Sequence, residues 1–166
     1  MPFAYYSRLS PKQKAIYRAS NETARIELPH PTRLSRSVAE VGTALGSEDR
    51  PALALWCQQL ADELLAQLEV PALTVKVLAA RPSHDWGELQ GLYQPAEGGA
   101  EARITVWMRT ARHQRVVAFK TFLRTLLHEL GHHLDYELLE LEDSFHTEGF
   151  FQRESSLFHQ LVEPED

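Results

Sequence analysis

The chain has 166 residues, a single cysteine and a formal net charge of −6 at pH 7. This length suits one domain with a substantial core, and 43% hydrophobic with 24% charged residues excludes a disordered or a collagen-like chain. The net negative charge argues against binding nucleic acid over the whole surface, and no apolar segment is long enough to span a membrane. We therefore expect a single soluble domain.

Cysteine usage and the N-terminal residues indicate the compartment. Cys57 alone can form no internal disulfide, and residues 1–6 lack the features of a signal peptide. We expect a cytoplasmic protein. Charge is unevenly placed, since residues 1–36 hold seven Lys or Arg and two Glu, whereas residues 137–166 hold nine acidic residues and one Arg. This asymmetry permits a local basic patch, so nucleic-acid contact is possible but not indicated; the oligomeric state cannot be read from it.

The first 70 residues predict three helices. Each begins at a residue that can cap a helix, and the third carries apolar residues three or four apart. The predicted helices run from Ser10 to about Ser20, from Thr32 or Ser37 to Gly46, and from Asp49 to the residues before Pro71.

Residues 72–108 change to the alternating pattern of strands. Leu73–Leu78, Glu88–Tyr93 and Arg103–Met108 are the predicted strands, and the loop with Gly98 and Gly99 predicts an antiparallel hairpin of the last two. The fold class predicted is α+β. We expect one domain over residues 1–166, with a helical part at 1–70 and a core at 72–162 that holds a small, mainly antiparallel three-stranded sheet.

A long helix predicted over Val116–Leu139 carries the sequence His-Glu-Leu-Gly-His-His at 128–133. His128 and His132 are four residues apart and project from one helix face, so both imidazoles can bind one metal ion. Glu129 can reach a water at that ion and act as a general base. Gly131 is unfavourable within a helix and suggests that another backbone approaches closely.

A catalytic zinc site needs a third protein ligand. The candidates are His146, Glu154 and His133, of which His146 is favoured because the chain can turn back before it. His133 points about 100° away from His132. Asp135 either accepts the second imidazole N–H of a ligand or is a surface carboxylate.

The segment His-Glu-Leu-Gly-His followed by His-Thr-Glu-Gly-Phe at 146–150 resembles the metallopeptidase core of the SprT/Spartan group. The resemblance covers residues 72–162. It implies a zincin core with Zn²⁺ held by His128, His132 and His146, Glu129 as the catalytic base, and Phe150 packed under the loop. Thr147 replaces the glycine that usually follows the third ligand, and no cysteine-rich zinc ribbon is present, so repair of DNA–protein crosslinks is not inferred.

Zinc-dependent peptide hydrolysis is the expected function, with a peptide or protein as substrate. Zincins bind an extended peptide along an edge strand, and we expect Arg103–Met108 to be that edge. Arg153 and Glu154 are expected to form a structural pair beside the site. The alternative is a non-catalytic metal-binding module that regulates or binds a protein or nucleic acid.

Overall fold

The computed structural model describes residues 2–84 and 87–162, except for the side chain of residue 84. These residues form five α-helices, five strands and two short 3₁₀ segments, Ala4–Arg8 and Pro31–Leu34, which precede the first and the second α-helix respectively. The helices are α1 (Pro11–Ser20), α2 (Ser35–Gly46), α3 (Arg50–Gln67), α4 (Phe119–Glu137) and α5 (Glu148–Val162). The strands are β1 (Thr74–Ala80), β2 (Ser83–His84), β3 (Gly87–Glu88), β4 (Gly91–Gln94) and β5 (Arg103–Arg109). The α+β class is confirmed.

Helix starts follow the predicted caps at α1 and α3 but not at α2. Ser10 and Gln13 form the reciprocal capping box of α1, and the Asp49 carboxylate accepts the Ala52 N–H at the start of α3. Neither Thr32 nor Ser37 caps α2. α2 begins at Ser35, directly after the 3₁₀ segment Pro31–Leu34, and its N-cap residue Leu34 makes no side-chain capping bond.

The main sheet has the order β1-β5-β4 and is mixed. The predicted hairpin of β4 and β5 is confirmed as antiparallel, but β1 runs parallel to β5, so the expectation of a mainly antiparallel sheet was wrong. After β1 the chain passes through the short β2–β3 hairpin into β4, which runs opposite to β1. The loop between β4 and β5 then turns it back, so that β5 has the same direction as β1. The single strand predicted over Glu88–Tyr93 is split between β3 and β4.

β5 is the central strand, which corrects its prediction as the edge. Ile104–Met108 are all buried, as expected for a strand paired on both sides and covered by helices. The edge next to α4 is β4, whose partner lies on one side only.

The helices bury the sheet and each other. α3 packs on β1, whereas α4 packs under β4 and β5 and against α5. α4 starts three residues later than predicted because Val117 donates its N–H to the Met108 carbonyl and Val116 bridges Arg109. Its apolar face lies in the core. Among the described residues no helix combines the length and apolar character needed to cross a membrane.

Candidate metal centre

Three histidine side chains meet at one point above α4. His128 and His132 come from successive turns of α4, and His146 comes from the loop that joins α4 to α5. The His146 Nε2 atom lies 3.1 Å from the Nε2 atom of His128 and 3.1 Å from that of His132. Two nitrogens bound to one tetrahedral zinc at about 2.05 Å stand about 3.3 Å apart. The three imidazoles are therefore close enough to bind one metal ion.

The outer nitrogens of two of these rings have acceptor partners. His128 Nδ1 lies 2.7 Å from the Glu154 carboxylate, which can only accept a hydrogen bond. His132 Nδ1 lies 2.7 Å from the Ser144 hydroxyl, whose single hydrogen is already donated to Asp135. Both Nδ1 atoms therefore carry the hydrogen.

In the neutral tautomers that result, the Nε2 atoms of His128 and His132 present lone pairs to the shared point. An N–H at His146 Nε2 has one hydrogen, so it can donate fully to only one of these two lone pairs. A divalent cation that accepts imidazole nitrogen, such as zinc, fits this donor set.

The electrostatic environment favours neutral imidazole rings. Burial lowers the pKa of His132 to about 3, and the neighbouring His128 and His146 add to the effect. Burial also lowers the pKa of His146. Because a histidine binds metal through an unprotonated nitrogen, these two rings are ready to act as ligands at neutral pH.

His133 and Glu154, the other candidates for third ligand, lie outside the histidine cluster. The buried His133 donates from Nε2 to the Pro71 carbonyl at 2.8 Å and accepts at Nδ1 from the Tyr93 hydroxyl at 2.8 Å. Both of its nitrogens are therefore engaged. Glu154 lies behind His128, on the ring edge opposite to Nε2, with the Arg124 guanidinium 3.7 Å away.

Asp135 contacts His132 only through Ser144, so neither role that the sequence suggested for Asp135 is correct. It is fully buried, so it is no surface carboxylate, and it accepts from Ser144 at 2.7 Å rather than from an imidazole. Its other oxygen accepts from Arg153 at 3.0 Å. Arg153 therefore pairs with Asp135, and the expected pair of Arg153 with its neighbour Glu154 does not form.

The loop that carries His146 is held by residues far away in the sequence. Tyr5 donates its hydroxyl hydrogen to the His146 carbonyl at 2.6 Å. Thr147 accepts the Phe150 N–H at 2.9 Å and so caps α5, and its hydroxyl also bonds Ser20 at 2.7 Å. No local pattern in the sequence signals the contacts of Tyr5 and Ser20.

Phe150 forms the floor under the three imidazoles. Its ring centroid lies 4.9, 4.7 and 5.3 Å from those of His128, His132 and His146. A Cβ atom on Gly131 would stand 3.1 Å from this ring. Gly131 does permit a close approach, as its position in the helix suggested, but the approaching group is a side chain and not a backbone.

Glu129 lies beside the cluster in a mostly buried position. Burial raises the pKa of its carboxyl to about 7, while His128 lowers that pKa and Glu154 raises it. Gly91 of β4 covers the carboxylate so closely that a Cβ atom there would stand 2.8 Å from Oε2. A carboxyl group that titrates near neutral pH can both accept and return a proton. An isolated glycine in a strand is the one sequence signal that could have indicated the Gly91 contact.

Two surface depressions meet at the site. One of about 480 Å³ extends over Thr121, Thr125 and Phe151, and one of about 320 Å³ extends over Tyr93, Tyr136 and Ser144. Both are also lined by Gly91, His128 and Glu129. Together they form one cleft beside β4, and His132 and His146 line its smaller part.

Comparisons with protein-family models, with curated proteins and with solved structures found no match.

Proposed function

We propose that the protein is a zinc-dependent metallopeptidase with a zincin-like, SprT-like core. One observation carries the proposal: three imidazole nitrogens converge on a single point, with the Glu129 carboxyl beside them in an open cleft. Three protein ligands leave a coordination position free, which is typical of catalytic zinc, whereas structural sites usually have four.

The side chains around the histidine cluster would have separate roles in peptide hydrolysis. When bound, zinc would supply Lewis-acid activation of water and of the substrate carbonyl. Glu129 would accept the proton of the attacking water on a carboxylate oxygen and then deliver it to the nitrogen of the departing amine. Its raised pKa supports this double role. Glu154 and Ser144 would keep the imidazoles of His128 and His132 in the required tautomer.

β4 is the proposed docking strand for the peptide, in place of the strand first expected. Its backbone pairs with β5 on one side only, and Gly91, Leu92 and Tyr93 line the cleft. An extended peptide could pair with the free side of β4 by main-chain hydrogen bonds and lie across Glu129.

Metal content tests the ligand set. We would measure zinc per chain by elemental analysis in the wild type, His146→Ala and Glu154→Ala, with His113→Ala, an exposed histidine outside the site, as the matched control. We expect about one zinc in the wild type and in the control, a near-complete loss in His146→Ala, and weakened retention in Glu154→Ala, because a partner behind a ligand tunes affinity about 10- to 100-fold. A wild type that binds no zinc after reconstitution contradicts the proposal.

Peptide turnover tests the role of Glu129. We expect Glu129→Gln to retain zinc and to lose about 10²- to 10⁴-fold in kcat, the usual contribution of a general acid–base. Glu137→Gln, an exposed position near the end of α4, is the control and should cleave an unstructured protein substrate at the wild-type rate. Zinc-loaded wild type that cleaves nothing would indicate the non-catalytic alternative instead.

A further inference from the structure

Exposed apolar side chains gather around the cleft. Among the described residues four large hydrophobic side chains are exposed by 38–65%, namely Phe3, Leu55, Leu92 and Phe151. Leu92 and Phe151 each line one of the two depressions, and the Phe3 ring lies 6.2 Å from that of Phe151. Exposed apolar groups concentrated at a concave polar site mark a binding surface.

Phe151 occupies the wall of the larger depression immediately beside the proposed ligands. Its ring centroid is 6.0 Å from His128 and 5.7 Å from His146, yet 40% of the residue is exposed. Its neighbour Phe150 supplies the buried ring that α5 sets beneath the imidazoles. Core packing therefore does not account for a second phenylalanine here, and its open face points to an apolar ligand.

The rest of this depression does not favour a charged ligand. Thr121 and Thr125, one turn apart on α4, provide uncharged polar lining. The charges of Arg124 and Glu154 lie 3.7 Å apart and offset each other, and Glu154 also accepts from His128. The volume of about 480 Å³ lies within the range of small-ligand sites, about 300–1,000 Å³.

We propose that this depression is a specificity subsite for a large apolar side chain, aromatic or leucine-sized, next to the scissile bond of an extended peptide. The proposal names the substrate class of the metallopeptidase and rests on that function for the position of the bond. Phe151 is the specificity-determining residue, and the Phe3 ring packs edge-on against it.

Binding without turnover provides the test. Zinc-loaded Glu129→Gln would be titrated with three fluorescent peptides that differ only at two central residues, which are Ala-Ala, Phe-Ala or Ala-Phe. We expect one of the two phenylalanine peptides to bind about tenfold more tightly than the dialanine peptide, as burial of part of one aromatic side chain predicts. Equal affinities for the three peptides, or no binding of any, overturn the proposal.

Substitutions of Phe151 test whether this side chain causes the difference in peptide affinity. In the same background, Phe151→Ala should reduce the tenfold ratio to about one, whereas Phe151→Leu should retain most of it. Leu55→Ala is the matched control, since Leu55 is 65% exposed on α3 and lines neither depression. If Phe151→Ala lowers the zinc content, Phe3→Ala provides the second test. It removes the ring that packs edge-on against Phe151 and should reduce the ratio about threefold. A ratio unchanged by these alanine substitutions contradicts the proposal.

Cleavage of the same peptides by the protein with Glu129 intact separates the two proposals. Selective binding without cleavage supports the subsite and contradicts the peptidase function. Cleavage of the three peptides at equal rates, with equal binding, supports the peptidase and overturns the subsite.

Discussion

Alanine at Gly91 is expected to impair catalysis while leaving the fold and the metal site intact. The added Cβ would stand 2.8 Å from Glu129 Oε2 and 2.9 Å from Thr125 Cγ2. Ordinary van der Waals contact begins near 3.4 Å, so the carboxylate has to move by about 0.6 Å. Gly91 is not among the glycines with positive φ, so alanine can adopt its backbone conformation.

The magnitude follows from how steeply catalysis depends on the position of the base. A misplacement of about 1 Å costs about 10²-fold, so a shift of about 0.6 Å should cost roughly tenfold in kcat. The free energy of unfolding should fall by about 1–3 kcal/mol, the usual cost of overpacking, because the Cβ also crowds Thr125 Cγ2, whose branched side chain is held by a hydrogen bond to the Thr121 carbonyl. The zinc content should stay at the wild-type value, since the three atoms nearest to the added Cβ belong to Glu129 and Thr125 and not to an imidazole.

The assay compares kcat, zinc content and urea unfolding for Gly91→Ala and Gly46→Ala. Gly46 is the matched control, because a Cβ atom at this end of α2 meets nothing within 4 Å. We expect the control to retain wild-type turnover. Wild-type turnover in Gly91→Ala would refute the assignment of Glu129 as the base held under β4. A loss of zinc in that variant would show that β4 supports the ligands themselves.

Three further predictions concern the surroundings of the site. Asp135→Asn should lower the free energy of unfolding by about 3 kcal/mol in urea titrations, since it leaves the buried Arg153 guanidinium without its charged partner; an unchanged midpoint would contradict this. Gly131→Ala should fail to give the stabilisation of about 1 kcal/mol that alanine provides within a helix, because its Cβ would crowd the Phe150 ring at 3.1 Å; a higher Tm would refute this. Cys57 is buried and burial raises the pKa of its thiol, so a thiol reagent should modify it only at the rate of unfolding, and rapid labelling of the native protein would count against the described core.

Local sequence patterns predicted the parts of the fold that depend on neighbours in the chain. The helix start at Ser10 and the hairpin of β4 and β5 depend on segments that are adjacent in the chain, and both are confirmed. The spacing of His128 and His132 likewise places two imidazoles on one helix face. The grouping of His146 with them needed the path of the intervening loop as well.

The position of β5 shows where local patterns fail. The sequence pattern of a strand is the same in the centre of a small sheet and at its edge. The position of the strand in the sheet depends instead on pairing partners far away in the chain. The parallel pairing of β1 with β5 placed β5 in the centre and left β4 beside the cleft. The proposed substrate strand changed accordingly.

The sequence by itself determined the helix of the HExxH segment, its two outward imidazoles and the carboxyl group of Glu129, because helical periodicity alone sets these directions. The tertiary structure decided what surrounds them. Ser144 and Asp135 behind His132, Tyr5 on the His146 loop and Gly91 over Glu129 are contacts between segments that only chain packing brings together. Metal ligands need fixed orientation and a general base needs a tuned pKa, and both come from groups distant in sequence, so the chemical capacity of the site is a property of the folded protein.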